Sequence, residues 1–495
     1  MQCANHGAVK FQQQFARGSP TILKTIIKGG TVITAADTFA ADLLLEGGRI
    51  TQMGANLPQA GARVVDAGGM LLLPGGIDVH THLELPFFGT VAADDFYTGQ
   101  RAAAFGGTTS HIDFAIQYKG ESLHQALENW QHKARDKAVI DYGLHVAITD
   151  LNDTVMAEIP SLASAGVTTI KLFQAYKGVY QVDEATLFRA MLKAAEAGML
   201  VMVHSENGDV IDFMIRNNVA HGNLATEYHA RSHPAWAEAE ASLRAIALAG
   251  IAGAPLYIVH MTCAESVDQL RYGRARGLQV MGETCPQYLF FTTDNLCQPD
   301  GAKYVCSPPV RTAADNEYLW PALSAGHLQV VATDHCPFLF DGTQAITYEG
   351  ESYRKPGKEL GAGDFSKIPN GMHGIEDRQL LLWTYGVNTG RISANRFVEV
   401  TATNPAKIFG MYPRKGTLAP GSDADVVVWD PAAELTVDWR QMHMRVDHSV
   451  YDGRRLRGRP RQVFVRGELL VDGGAWHGRR GAGTFLKRSS HAPIL

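Results

Sequence analysis

The sequence predicts an α/β fold, a (β/α)8 TIM-like barrel with a small β-sandwich domain built from both termini. Three observations predict it. Eight short apolar, strand-like runs alternate with helical stretches through the middle of the chain. Several of these runs end in residues that bind metals, and the C-terminal ends of barrel strands are where barrels build their sites. Glycine-punctuated β patterns flank the middle on both sides.

In chain order, residues 1–20 read as an N-terminal extension with no apolar core of a secretory signal. Residues 21–73 read as the first part of the β-sandwich, with TIIKGGTVIT, ADLLLEGGRITQMG and ARVVDAGGMLLL as strands. Gly29-Gly30 and Gly47-Gly48 are expected to make hairpin turns. Residues 74–411 form the barrel, with strands in PGGIDVHTH, GTTSHIDFA, YGLHVAIT, TTIKLF, MLVMVHS, PLYIVHM, LQVMGET and LQVVATD. Helical stretches such as ESLHQALENWQHKARDK and TLFRAMLKAAEAG separate most of them, and NEYLWPALSAG is a short helix candidate before the eighth. The polar, glycine-rich segment from Cys336 to about Gly371 is too long for a plain connection and is expected to be functional. Residues 412–477 supply the second part of the β-sandwich, in GSDADVVVWDP and RQVFVRGELLVDGG, and residues 478–495 a C-terminal tail.

Composition narrows the function classes. Among 495 residues, 45% hydrophobic and 19% charged is ordinary for a soluble globular protein. A net charge of −5 offers no electrostatic footprint for nucleic acid. No apolar run approaches the roughly 20 residues that span a membrane. Six scattered cysteines without a CxxC pair do not make a disulfide framework. A cytoplasmic protein is expected.

The chemistry lies at the strand ends. Leu71 to Val79 runs into His80-Thr81-His82, and alternate strand residues share a face, so both histidines point the same way. Val201-Met202-Val203 runs into His204, Leu256 to Val259 into His260, and Val330 to Thr333 into Asp334. One His-x-His pair is a weak signal. Four imidazoles and a carboxylate at barrel strand ends suit a divalent-metal site. Lys171, inside the apolar strand TTIKLF, leaves two readings open. Either it pairs with a nearby acid, or it reacts with CO2 to become a carbamate that bridges two metals.

The segments GGIDVHTHLE, GTVAADDF, TTIKLFQAYKG, VHSENGD, GETCPQYL, CSPPVR, ATDHCPF and KIPNG occur in this order. Together with the tail segment VDHSVYDG…GAGTFLKR, they closely resemble the dihydropyrimidinases and D-hydantoinases, which are cyclic amidohydrolases. The resemblance spans about residues 21 to 487. It implies a metal-dependent hydrolase that opens dihydrouracil, dihydrothymine or 5-substituted hydantoins to N-carbamoyl amino acids. It further implies two divalent metals, most often zinc, and a homotetramer. By matching motifs, His80, His82 and Asp334 would hold one metal and His204 and His260 the other, with Lys171 as the N6-carboxylysine bridging both. Asp334 would serve as catalytic base and then acid. Tyr176 would donate to the substrate carbonyl and stabilise the oxyanion, and Ser307 and Asn370 would grip the ring imide, partly through backbone groups. Phe87, Phe173 and Tyr180 are candidates for an apolar wall facing the ring substituent, and Phe88 is expected to be ordinary core.

The chain departs from the family's pattern at Gly371-Met372-His373-Gly374, where smaller or more apolar residues are expected. Two enzyme relatives and one scaffold are the alternatives. Dihydroorotases place an arginine two residues after the HxH pair, where this chain has Glu84, so the substrate carboxylate would lack a partner. Allantoinases are disfavoured by QAYKG, GETCPQYL and CSPP. Collapsin response mediator proteins share the fold as non-catalytic scaffolds that have lost metal ligands, whereas this chain keeps all six.

Overall fold

The computed structural model describes residues 24–490; the N-terminal extension lies outside the described residues. Eight parallel strands run Gly76–Thr81, Thr108–Ile116, Asp141–Ala147, Thr169–Phe173, Leu200–His204, Leu256–Ile258, Val280–Thr284 and Val330–Val331. They pair in sequence order as one sheet, first to eighth. The ring closes where the N–H of His82 donates to the carbonyl of His335, at 2.9 Å. Asp78 reinforces that seam, its carboxylate accepting from the N–H of His80 (3.2 Å) and the hydroxyl of Thr333 (2.6 Å). The strands are buried along their whole length, as expected where helices cover the outside and side chains fill the inside.

The helices between the strands start where the sequence supplies side-chain caps. Asp95, Ser122, Asn152, Asp183 and Asn207 each accept a backbone N–H from the first turn that follows. The stretch before the eighth strand is a full helix, Ala313–Ser324, capped by Thr312. The expected β domain is one continuous nine-stranded sheet, in which Leu71–Pro74 from the N-terminal part pairs antiparallel with Val426–Thr436 from the C-terminal part. It has its own core of Ile27, Leu43, Leu72, Val426, Val428 and Phe464.

Gly47-Gly48 makes the expected tight turn between Thr38–Glu46 and Arg49–Gly54, both glycines at positive φ. The Gly29-Gly30 expectation is corrected. Both lie inside Thr25–Ile33, where the pairing register slips between Ile27 and Gly30, and Gly29 takes φ 74° in a β-bulge. A glycine pair supplies positive φ equally to a turn or a bulge, so local sequence does not separate them.

A buried ion cluster joins sheet to barrel. The Lys415 ammonium lies 2.7 Å from Asp141 of the third barrel strand, and 2.7 and 3.1 Å from Asp425 and Asp423 at the sheet's edge. The tail then runs beneath the barrel, where Arg488 donates to the carbonyl of Leu144 (2.6 Å) and the hydroxyl of Thr169 (2.9 Å).

Candidate active site

The predicted ligands stand at or just past the C-terminal ends of their strands, except Lys171, which is midway along its own. His80 and His82 leave the first strand, Lys171 lies on the fourth, His204 ends the fifth, and His260 and Asp334 follow the sixth and eighth. The structure brings these six together with Tyr176, Ser307 and Asn370 around one cleft of about 500 Å³. The Nε2 atoms of His80 and His82 stand 3.1 and 3.0 Å from the same Asp334 oxygen, Oδ1. The Nε2 of His260 stands 2.9 Å from the Nδ1 of His204. Ligand atoms of His80, His260 and Asp334 all lie within 4.8 Å of one another.

The protonation pattern fits cations between these groups. The Nε2 of His204 lies 2.8 Å from the Glu206 carboxylate, and its Nδ1 faces His260. Glu283 contacts the Nδ1 of His80, and the Nε2 of His80 faces the Asp334 carboxylate. Burial pushes His80 and His260 well below the usual imidazole range, toward the neutral form that binds metals. Two imidazole nitrogens 2.9 Å apart, and two more on one carboxylate oxygen, are close-set donors of the kind that bind a divalent ion. The donor set therefore fits divalent metal.

Burial pushes the Lys171 ammonium down to about 7, against the opposing pull of Glu283 and Asp334. Burial pushes Glu283 up to about 8. Asp334 stays below the usual carboxylate range, because His80, His82 and Lys171 outweigh the burial that would raise it. Tyr176 is held well above the usual phenol range by burial, with Glu206 and Asp334 adding to it, and remains a hydroxyl donor. The Asn370 side-chain amide donates to the Ser307 hydroxyl at 3.0 Å.

One wall is aromatic. Phe87, Phe173 and Tyr180 line the cleft, the Phe87 and Tyr180 rings stacked at 5.9 Å. The expectation for Phe88 is corrected. It is 41% exposed outside the cleft, because φ 48° at Phe88 turns the chain outward there. The Glu84 carboxylate is held by Lys137 at 2.7 Å.

Met372 and His373, bulkier than the family pattern suggests, are buried behind the cleft, with His373 bonded to Asp377 and to the N–H of Val450. Gly371 sits at φ 154°, where a Cβ would lie 2.3 Å from the carbonyl of Cys336.

Sequence reasoning missed Glu206 and Glu283. Both stand in quoted motifs, and the available signal was an acid inside an apolar strand or two residues past a ligand. It also missed Asp113, whose carboxylate accepts from Thr81 Oγ1 (2.7 Å) and the N–H of Leu83 (2.9 Å) and so fixes the turn carrying His82.

A barrel with imidazoles and a carboxylate gathered at its strand ends defines a metal-dependent hydrolase. The chain belongs to the amidohydrolase family, whose model matches residues 71–470. It is 48% identical over 474 residues to the D-hydantoinase of Streptomyces coelicolor, covering 94% of this chain and 98% of that one. It is 46% identical over 473 residues to the D-hydantoinase of Geobacillus stearothermophilus, covering 95% and 98%. The crystal structure of dihydropyrimidinase from Brevibacillus agri superposes with a TM-score of 0.91 at 48% identity, covering 95% and 100%.

Proposed function

We propose that this protein hydrolyses the cyclic amide bond of 5-substituted hydantoins and 5,6-dihydropyrimidines to give N-carbamoyl amino acids. The observation that carries the reading is the pairing of a metal-type ligand cluster with a hydroxyl and amide shelf and an aromatic wall in one cleft, on a chain alike end to end to D-hydantoinases.

His80, His82 and Asp334 would hold one metal, His204 and His260 the second, and Lys171 as N6-carboxylysine would bridge them. Zinc suits this mix of nitrogen and oxygen donors. Bound metals supply Lewis-acid activation of water and of the amide carbonyl. The chain's own groups do the rest. Asp334, an unprotonated carboxylate, takes the proton of the attacking water and passes it to the leaving ring nitrogen. Tyr176 donates its hydroxyl proton in a hydrogen bond to the carbonyl oxygen as negative charge develops there. Ser307 and Asn370 hold the ring, and Phe87, Phe173 and Tyr180 receive its substituent. The C–N bond breaks, water adds hydroxyl to carbon and hydrogen to nitrogen, and the new carboxylic acid releases its proton to solvent.

The homotetramer implied by the resemblance is part of this proposal. Phe213, Trp236 and Ile251 stand 65, 68 and 73% exposed on two of the three helices after the fifth strand, Gly208–Ala220 and Ala235–Ala252. Such apolar exposure suits a subunit interface. No helix among the described residues is long and apolar enough to cross a membrane.

The test is ring opening of 5,6-dihydrouracil, hydantoin and 5-phenylhydantoin by metal-loaded protein, with N-carbamoyl products identified. Opening of at least one is expected, and their ratio shows whether the wall favours aryl substituents. No opening of any, with two metals bound per chain, overturns the proposal.

A further inference from the structure

We infer that Lys358 is a positioning residue whose side chain ties the two loops carrying Ser307 and Asn370 into a single substrate-binding shelf. Lys358 belongs to the long segment after the eighth strand and is only 2% exposed. Its Nζ donates to the carbonyl of Val305 at 2.9 Å and to that of Pro369 at 3.2 Å. Val305 stands two residues before Ser307, and Pro369 immediately before Asn370. The same Val305 carbonyl accepts the N–H of Gly371 at 3.0 Å. With the amide of Asn370 on the hydroxyl of Ser307, the two loops meet at three points, and the lysine alone reaches in from outside both.

The lysine is anchored from behind. Its own N–H donates to the carbonyl of Leu339 at 2.8 Å. The Glu359 carboxylate accepts the N–H groups of Gly342 and Gly357. At Gly357 a Cβ would lie 2.0 Å from the carbonyl of Leu339, so the backbone approaches too closely there for any side chain.

A buried ammonium that ends on two carbonyls and no carboxylate is an expensive device. Burial pushes it down to about 7, and a neutral amine still donates, so the tie does not depend on charge. A hydrophobic side chain would fill the space at lower cost. What the lysine adds is direction, as two donors hold two carbonyls at a fixed separation. Asn370 follows the Pro369 carbonyl directly and Ser307 stands two residues past the Val305 carbonyl, so their separation is set with them. The metal ligands stand on barrel strands and make no contact with Lys358 among the described hydrogen bonds. Removing the tie should therefore weaken ring binding more than chemistry.

This inference rests on the reading that Ser307 and Asn370 grip the ring. Steady-state hydantoin hydrolysis and metal content are measured on metal-loaded enzyme for Lys358→Met, Lys358→Gln and Asn370→Ala. Lys358→Met is expected to raise KM on the order of tenfold, with kcat within about threefold and metal content unchanged. Lys358→Gln, which keeps one donor group, should fall between it and wild type, and it decides the question if the methionine variant does not fold. Wild-type KM in the folded lysine variants, or a loss of kcat and metal with KM unchanged, overturns the inference. If Asn370→Ala leaves KM unchanged, the shelf reading itself fails. If Asn370→Ala raises KM while the lysine variants do not, only the role of Lys358 fails.

Discussion

Replacing Lys171 with alanine tests the centre at its least ordinary member. An amine forms a carbamate by attacking CO2 with its lone pair, making an N–C bond and releasing a proton, so only the neutral form reacts. In water a lysine of pKa about 10.4 is roughly 0.04% neutral at pH 7. Burial brings Lys171 to about 7, where about half is neutral. The fold thus raises the reactive fraction by about a thousandfold. Lys171→Ala removes the bridge, and bound metal should fall from near two per chain toward zero, with turnover down by at least about a thousandfold. A short carboxylic acid added to the variant should restore part of both. The sign of the pH dependence follows from the lowered pKa, since the neutral amine dominates above about 7 and is lost below it. Metal-free wild-type protein, reconstituted with zinc at fixed dissolved CO2, should activate about tenfold faster at pH 8 than at pH 6. Inductively coupled plasma analysis and 13C NMR of protein treated with labelled CO2 read the two quantities. Full metal content with normal turnover in Lys171→Ala, or no labelled carbamate in wild type, refutes the reasoning.

Tyr176→Phe removes one oxyanion donor and should lower kcat by about a hundredfold or more at unchanged metal content; an unchanged kcat removes the hydroxyl from that role. Glu283→Ala frees the Nδ1 of His80 and the N–H of His260, and should weaken metal affinity roughly 10–100-fold in a chelator competition, whereas wild-type affinity would show that Glu283 does not orient the ligands. Lys415→Met removes the cation shared by Asp141, Asp423 and Asp425; Asp141 keeps Arg466 and Asp423 keeps Arg414, so the loss falls mainly on Asp425 and should cost about 1–3 kcal/mol of stability in denaturant unfolding. Hydantoin turnover by the folded fraction should be unchanged, and a variant as stable as wild type would show that the cluster does not weld sheet to barrel.

The barrel and the clustering of its candidate metal-binding residues were legible because two independent patterns coincide. An apolar run marks a strand, and a His or Asp at its end is a residue type that a core otherwise avoids. His204, His260 and Asp334 lie far apart in the chain, so their agreement came from strand position. The supporting acids were not legible in the same way. Glu283 inside LQVMGET and Asp113 inside GTTSHIDFA look like interruptions of a strand until their partners, His80 and Thr81, are seen across the barrel. Lys358 sits in a segment with no periodicity, where its burial depends on contacts with residues 305 and 369 that only the folded loop creates. Phe88 was misread because hydrophobicity alone suggests core, while the positive φ that turns it outward leaves no compositional mark.

The same acids explain how the site tolerates its own backbone. His260, Asp334 and Tyr176 take φ values of 40°, 52° and 65°, and none is glycine. Each costs on the order of 1–2 kcal/mol relative to ordinary conformations. Glycine would relieve the strain, but it carries no imidazole, carboxylate or phenol. The chain must leave the strand and still aim a side chain at the barrel axis, and positive φ achieves both within one residue. Hydrogen bonds hold each position. The N–H of His260 donates to Glu283, and the carbonyl of Tyr176 accepts the N–H groups of Val179, Tyr180 and Gln181 at 2.9–3.2 Å. Around Asp334, Thr333 is bound to Asp78 and His335 to Asp94 at 2.6 and 3.0 Å. Asp78 and Asp94 thus hold the residues on either side of Asp334, and Glu283 holds the strained backbone of His260 while contacting the imidazole of His80. Loss of any of them should displace the ligands before it unfolds the barrel, because the strain they restrain is local and the strand ladder around it is continuous.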